Sequence, residues 1–229
     1  RRRGVVTEDG PVRAYVYWDY SCPFSYVASH RLRRLADERP LQVHWRPFEV
    51  HPGLPEGGIP ARELGYGPDQ WSRLLDSVAG MAEEEGLELD VPDFVPRTSV
   101  PLQAALFAAD LGAGDFDRLH ASLFRAFFVD GRNIGRRETV LEVAESAGVD
   151  AEGLERALED ERYADELRRV HAETDRYDID GTPTVLFGRH KVVGAAPMDV
   201  LREAADRAAS GEPGEEQPGA SSPAGEDGD

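Results

Sequence analysis

Trp18-Asp19-Tyr20-Ser21-Cys22-Pro23-Phe24-Ser25-Tyr26 joins an alternating apolar run to an amphipathic one, with a cysteine and a proline at the joint. Ala14-Tyr15-Val16-Tyr17-Trp18 reads as a strand. Tyr26, Val27, Leu32 and Leu35 mark the apolar positions of a following helix. Pro23 falls where the first helical residue belongs; its fixed φ suits that place and its missing N–H would be unpaired there anyway. Cys22 is therefore the expected N-cap, facing the free N–H groups and the positive end of the helix dipole. A thiol pKa at such a site falls from about 8.5 to roughly 3.5–7.5, so a reactive thiolate is expected. The alternative is a small buried hydrophobe, the common fate of a free cysteine. Cys22 is the sole cysteine, which excludes an internal disulfide framework and any multi-cysteine metal site.

Outward from this joint, Val12 to Trp18 is the first strand and Pro23 to Glu38 the first helix. Leu41 to Phe48 alternates and reads as a second strand, placed parallel to the first by a right-handed crossover. His51 to Gly67 is rich in glycine and proline and reads as a loop. Helices are expected over 69–85, 102–109, 115–130, 137–147, 151–158 and 163–177, with an extended connection over 90–101. A Gly-Thr-Pro turn at 181–183 then leads into a hairpin of two short strands, Thr184 to Phe187 and Lys191 to Gly194. Met198 to Ala209 is an amphipathic final helix. Residues 1–10 read as a loose arm, and 210–229, built from Gly, Pro, Ser, Ala, Gln and acid, as a disordered acidic tail.

The order β-α-β … β-β-α is the thioredoxin-type arrangement, so the fold class is α/β: a thioredoxin fold with a long all-helical insertion. Residues 11–50 form its first half, 51–178 the insertion and 179–209 the second half. Cys22-Pro23-Phe24-Ser25 at the strand–helix joint, the insertion, and Gly181-Thr182-Pro183-Thr184 before the third strand resemble the DsbA family, and within it the FrnE-like subgroup. Leu123-Phe124-Arg125-Ala126-Phe127, Gly131-Arg132-Asn133-Ile134-Gly135 and Val193-Gly194-Ala195-Ala196-Pro197 resemble that subgroup too. The resemblance implies a cis Thr182–Pro183 bond lying against the sulfur of Cys22. Thr182 and Pro183 would then form a ledge whose backbone pairs with an extended substrate. A plain trans turn proline is the alternative.

Ordinary members of the family carry Cys-x-x-Cys, whereas here Ser25 holds the fourth position. Serine cannot resolve a mixed disulfide, so the dithiol cycle is closed to a single chain. Three readings follow. In the first, Cys22 forms a mixed disulfide that an external thiol resolves, and the Ser25 hydroxyl supports the thiolate. In the second, the chain is an isomerase or transferase dependent on a low-molecular-weight thiol, like the 2-hydroxychromene-2-carboxylate isomerases and kappa-class glutathione transferases that share the fold. Those enzymes place serine where Cys22 stands. In the third, the chain is a redox-silent binding or chaperone-like module. The first is preferred, with catalytic residues Cys22, Pro23 and Ser25 and substrate-binding residues Phe24, Thr182 and Pro183. The partner is a protein or small-molecule disulfide or thiol. No metal or organic cofactor is implied, and a homodimer is left open.

Composition narrows the setting. The 229 residues are 40% hydrophobic, enough for a sizeable core in one or two domains. No apolar run reaches the roughly 18 residues of a membrane span. Arg1-Arg2-Arg3-Gly4 is basic but no apolar run follows it, so no secretory signal is read and a cytoplasmic protein is expected; a leader upstream is left open. The net charge is −18 and Lys191 is the only lysine, a surface that repels nucleic acid and anionic membrane. The acidic, lysine-poor composition is similar to that of salt-loving archaea; an acidic cytosolic protein is the plainer alternative.

The six histidines show no metal-ligand spacing and read as structural or solvated, though the second strand can point His44 towards the active-site edge. Asp19 either tunes the cysteine or caps the strand end. Trp18, Phe24 and Tyr26 form an apolar lip or belong to the core.

Overall fold

The computed structural model describes residues 10–211. The arm and the acidic tail expected at the two ends lie outside the described residues, apart from Gly10, Ser210 and Gly211.

The chain runs through β1 (Val12–Trp18), α1 (Pro23–Glu38), β2 (Leu41–Pro47), β3 (Ile59–Pro60), a 3-10 turn (Ala61–Leu64) and α2 (Pro68–Glu84). It continues through β4 (Phe94–Val95), α3 (Ser99–Leu111), α4 (Ala113–Phe128), α5 (Arg137–Ser146), α6 (Ala151–Glu159) and α7 (Ala164–Arg176). The hairpin β5 (Thr184–Phe187) and β6 (His190–Val193) precedes α8 (Met198–Ala209). The main sheet has the order β2-β1-β5-β6. β1 and β2 are parallel from Val12↔Leu41 to Trp18↔Pro47. β5 lies antiparallel to β1, with Tyr17 opposite Thr184, and β6 antiparallel to β5. This is the thioredoxin arrangement read from the sequence.

Alternation along β1 divides the core in two, because successive side chains leave opposite faces of a strand. Ala14, Val16 and Trp18 join Val185, Phe187, Leu32, Leu35 and Leu201 in the main core. Tyr17 points the other way and packs with Leu186, Val170, Tyr177 and Ile179. The main core continues into the helices through Leu102, Leu119, Leu123, Phe124 and Phe127. The insertion is thus anchored to the sheet by one continuous apolar interior.

The segment read as a plain loop over 51–67 carries β3 and the 3-10 turn, and β3 pairs antiparallel with β4. Each strand is two residues long, too short for any alternation to show. Gly58 explains the close approach. Its φ is +77°, and a Cβ there would stand 2.4 Å from the Val95 carbonyl oxygen. α3 begins three residues earlier than expected and takes Pro101 into its first turn, where no intrahelical N–H bond is lost.

A buried arginine ties α1 to its surroundings. Arg31, 2% exposed, donates from Nε to Glu85 Oε1 at 2.8 Å. It also donates from Nη1 to the carbonyls of Ala195 and Ala196 at 2.9 and 3.1 Å. Arg34 also pairs with Glu85. One cation thereby joins the end of α2, the middle of α1 and the connection before α8. Among the described residues, no helix is long and apolar enough to cross a membrane.

Candidate active site

The site is built where β1 and β2 end. Asp19 is fully buried. Its Oδ1 accepts from the Ser21 N–H at 2.9 Å and its Oδ2 from the Val50 N–H at 2.7 Å. The carboxyl therefore caps the exit of β1 and ties it to the chain leaving β2. Burial is the main cause that pushes its pKa up. The turn it holds delivers Cys22 to the first position before α1, with φ −91° and ψ 112° and Pro23 beginning the helix. The Cys22 carbonyl accepts from the N–H groups of Ser25 and Tyr26 at 3.0 and 3.4 Å. Its side chain makes no cap bond to the helix. Instead the Sγ–H donates to the Thr182 carbonyl at 3.2 Å, across 160 residues of chain. The Thr182–Pro183 bond is cis, as the resemblance implied.

The surroundings of the sulfur oppose the expected low thiol pKa. Burial pushes the Cys22 thiol up, and Asp19 adds to the rise. The Thr182 side chain, and after it the Ser25 hydroxyl and N–H, work against it without prevailing. The bond to the Thr182 carbonyl is also one that only the protonated sulfur can make. Alkylation of the native chain is accordingly expected to accelerate with pH beyond the ordinary thiol midpoint of about 8.5. Asp19→Asn moves that midpoint down. A rate already level by about pH 7 would show that the helix terminus, not burial, governs the sulfur.

A cavity of about 340 Å³ opens on Cys22. Cys22, Pro23, Phe24 and Thr182 all line it, so four of the six site residues read from the sequence meet there. The other two stand behind. Ser25 is buried, its Oγ accepting from the Asp19 N–H at a long 3.5 Å. Pro183 is buried too, and its carbonyl accepts from Gly194 N–H at 2.8 Å. The Thr184 hydroxyl donates to the Gly181 carbonyl at 2.8 Å and braces the turn that presents Thr182.

The rest of the wall was not read as a site. Tyr66 and Trp71 stack with ring centroids 5.8 Å apart, and Phe94 and Phe127 complete an aromatic side. Trp71 reads as an ordinary member of the apolar face of α2. Tyr66 sits in a glycine-rich loop with no pattern around it.

His44 is a correction. It stacks on Tyr15 at 4.8 Å in the edge strand and does not line the cavity. Its position in the middle of β2, away from the strand end that faces Cys22, is the reason. Trp18 and Tyr26 belong to the core, not to a lip: Trp18 meets Tyr20 and His120 edge-on, and Tyr26 lies against Phe124 and Phe128. His120 is structural. Buried between Tyr20 OH at 3.2 Å and Ser29 Oγ at 2.7 Å, it is held neutral by burial.

A family model of the DSBA-like thioredoxin domain matches residues 15–206. The chain belongs to the DSBA-like family. This member is 30% identical over 197 residues to the uncharacterized protein YwbO of Bacillus subtilis (strain 168), covering 84% of this chain and 95% of YwbO. Among solved structures it is similar to a probable DsbA oxidoreductase from Streptomyces coelicolor. The identity is 27% and the TM-score 0.76, over 88% of this chain and 91% of that one. It also shares its fold with a 2-hydroxychromene-2-carboxylate isomerase, at 20% identity and TM-score 0.67, over 85% of this chain and 95% of that one. The first of these structures agrees with the DSBA-like assignment, and the second shows the shared fold alone.

Proposed function

We propose that this DSBA-like protein is a thiol–disulfide oxidoreductase that works through one sulfur. The observation that carries the reading is the Sγ of Cys22 set against the Thr182 carbonyl at the mouth of a cavity. The Cys22 thiol loses its proton to solvent and the thiolate attacks one sulfur of a disulfide. The Cys22–S bond forms as the substrate S–S bond breaks, and the other half leaves as a thiolate that takes up a proton. An external thiolate then attacks the mixed disulfide, takes over the bound half as a new disulfide, and returns Cys22 to the thiol. Thr182 contributes backbone: an extended substrate that pairs with its carbonyl competes with the Sγ–H for the same acceptor. Hydrogen bonding by Ser25 favours the charged form of the sulfur as it appears.

The test is trapping. Mixed with an excess of small disulfide, the native chain is expected to gain one adduct, by mass, at Cys22. The adduct should persist until thiol is added and then leave completely. A chain that gains no adduct while native, but gains one when unfolded, has a silent site. The upward push on the thiol favours that second reading, a binding module, and the same measurement separates the two.

A further inference from the structure

We propose that the cavity beside Cys22 selects thiols and disulfides whose sulfur carries an uncharged aromatic group and turns away carboxylated ones. This rests on the exchange reading above and adds to it the substrate class. The cavity has the scale of a small-molecule site, at the lower end of the usual range. One side is aromatic: Phe24, the stacked pair Tyr66 and Trp71, Phe94 and Phe127. Flat faces of this kind favour a flat apolar partner.

The charges point the same way. Asp180 stands in the wall next to the Gly181–Thr182 turn, and neither arginine nor lysine lines the cavity among the described residues. His51 is the one basic side chain there. Asp19 lies close enough behind the sulfur to act on it. The net charge of the chain, −18, adds a long-range term of the same sign. A carboxylated thiol such as glutathione would bring anions to a wall that offers a carboxylate and no fixed cation.

The experiment compares two aromatic disulfides on the full native chain: uncharged dithiodipyridine and the doubly carboxylated dithiobis(nitrobenzoate). Rates are taken at one pH in about 0.5 M salt, where screening within a few ångströms leaves mainly the local charges. Each rate is divided by that of the urea-unfolded chain, which removes the intrinsic difference between reagents. The native-to-unfolded ratio is expected to be several-fold higher for the pyridine reagent, because at this salt the steering by the whole chain is screened and only the charges of the cavity wall act. Asp180→Asn, at an exposed residue, should raise the ratio of the carboxylated reagent more than that of the other. Trp71→Ala should lower the pyridine ratio; if that variant fails to fold, Tyr66→Ala, at a 39% exposed residue, serves in its place.

Equal ratios for the two reagents overturn the selectivity while leaving exchange at Cys22 standing. No reaction of the native chain with either overturns the exchange reading and this inference together. The aromatic group can come from a small thiol or from a residue beside a cysteine in a peptide. Disulfides of one peptide with phenylalanine or aspartate in that place tell the sources apart: a preference shown there too assigns the peptide, and one confined to the reagents assigns the small molecule.

Discussion

Ser25→Cys releases a bound adduct from Cys22 on the order of 1,000 times faster than the unaltered chain with millimolar external thiol. Position 25 is one helical turn from Cys22, and its N–H already donates to the Cys22 carbonyl at 3.0 Å. A thiol there attacks from within the same molecule. Well-oriented internal reactions reach effective concentrations of about 10⁵–10⁸ M, so a small part of that advantage is enough. The readout is stoichiometric. With a chromogenic disulfide the unaltered chain frees one equivalent and stops, whereas Ser25→Cys frees a second as the two sulfurs join. Cys22→Ser, with no thiol, gives the background. The substitution costs about 1 kcal/mol or less in stability, because the contact it removes, from the Asp19 N–H at 3.5 Å, is already long. A folded Ser25→Cys chain that holds its adduct as long as the unaltered one would show that a thiol at position 25 is not aligned with the mixed disulfide, and one that forms no adduct would show that Cys22 is not presented for exchange.

The second large effect concerns stability. Arg31→Met is expected to cost about 3–5 kcal/mol, because it strands a buried carboxylate and two backbone carbonyls. Glu85, whose side chain is 6% exposed, keeps the half-exposed Arg34 and the His30 ring at 3.9 Å, neither of which replaces the buried guanidinium. For a chain of this size such a loss lowers the Tm by about 10 °C. The double variant with Glu85→Gln recovers part of it, since the stranded charge is gone.

The acid limb carries a further signature. Burial alone would raise the Glu85 pKa, yet its bonds to Arg31 and Arg34 outweigh that and hold it below the usual range. The cluster therefore stabilises fully above the ordinary glutamate value of about 4.3 and fades as pH falls through the folded value. The gap between the unaltered chain and Arg31→Met, measured by urea unfolding across pH, closes in acid. A gap of constant size down to about pH 3 would assign the loss to the arginine's carbonyl contacts instead.

Much of this architecture could be read before any coordinates. The alternation of β1 and Pro23 at the helix start are local patterns, and each settles an element by itself. The order of strands then admits few topologies. Features made by distant partners were silent. β3 and β4 show nothing over two residues apiece, and Gly58 reads as loop until Val95 is placed against it. Arg31 looks like one more charge on a helix because its partners are at 85, 195 and 196. The cavity wall was missed for the same cause: Tyr66, Trp71 and Phe94 have no common spacing, and only the fold assembles them. The thiol was misjudged differently. The helix terminus is legible in Cys-Pro, but the burial and the buried Asp19 that push the thiol up are tertiary.

The reach from Sγ to the Thr182 oxygen has a meaning for synthesis. A ribosome adds about 5–20 residues each second. The 160 residues between the two partners therefore take roughly 10–30 s to appear. Throughout that interval the nascent chain displays a thiol with neither its acceptor nor its roof. What supplies its acceptor is the arrival of the Gly181–Thr182 turn, so the hydrogen bond of this one atom reports whether β1 and β5 have met.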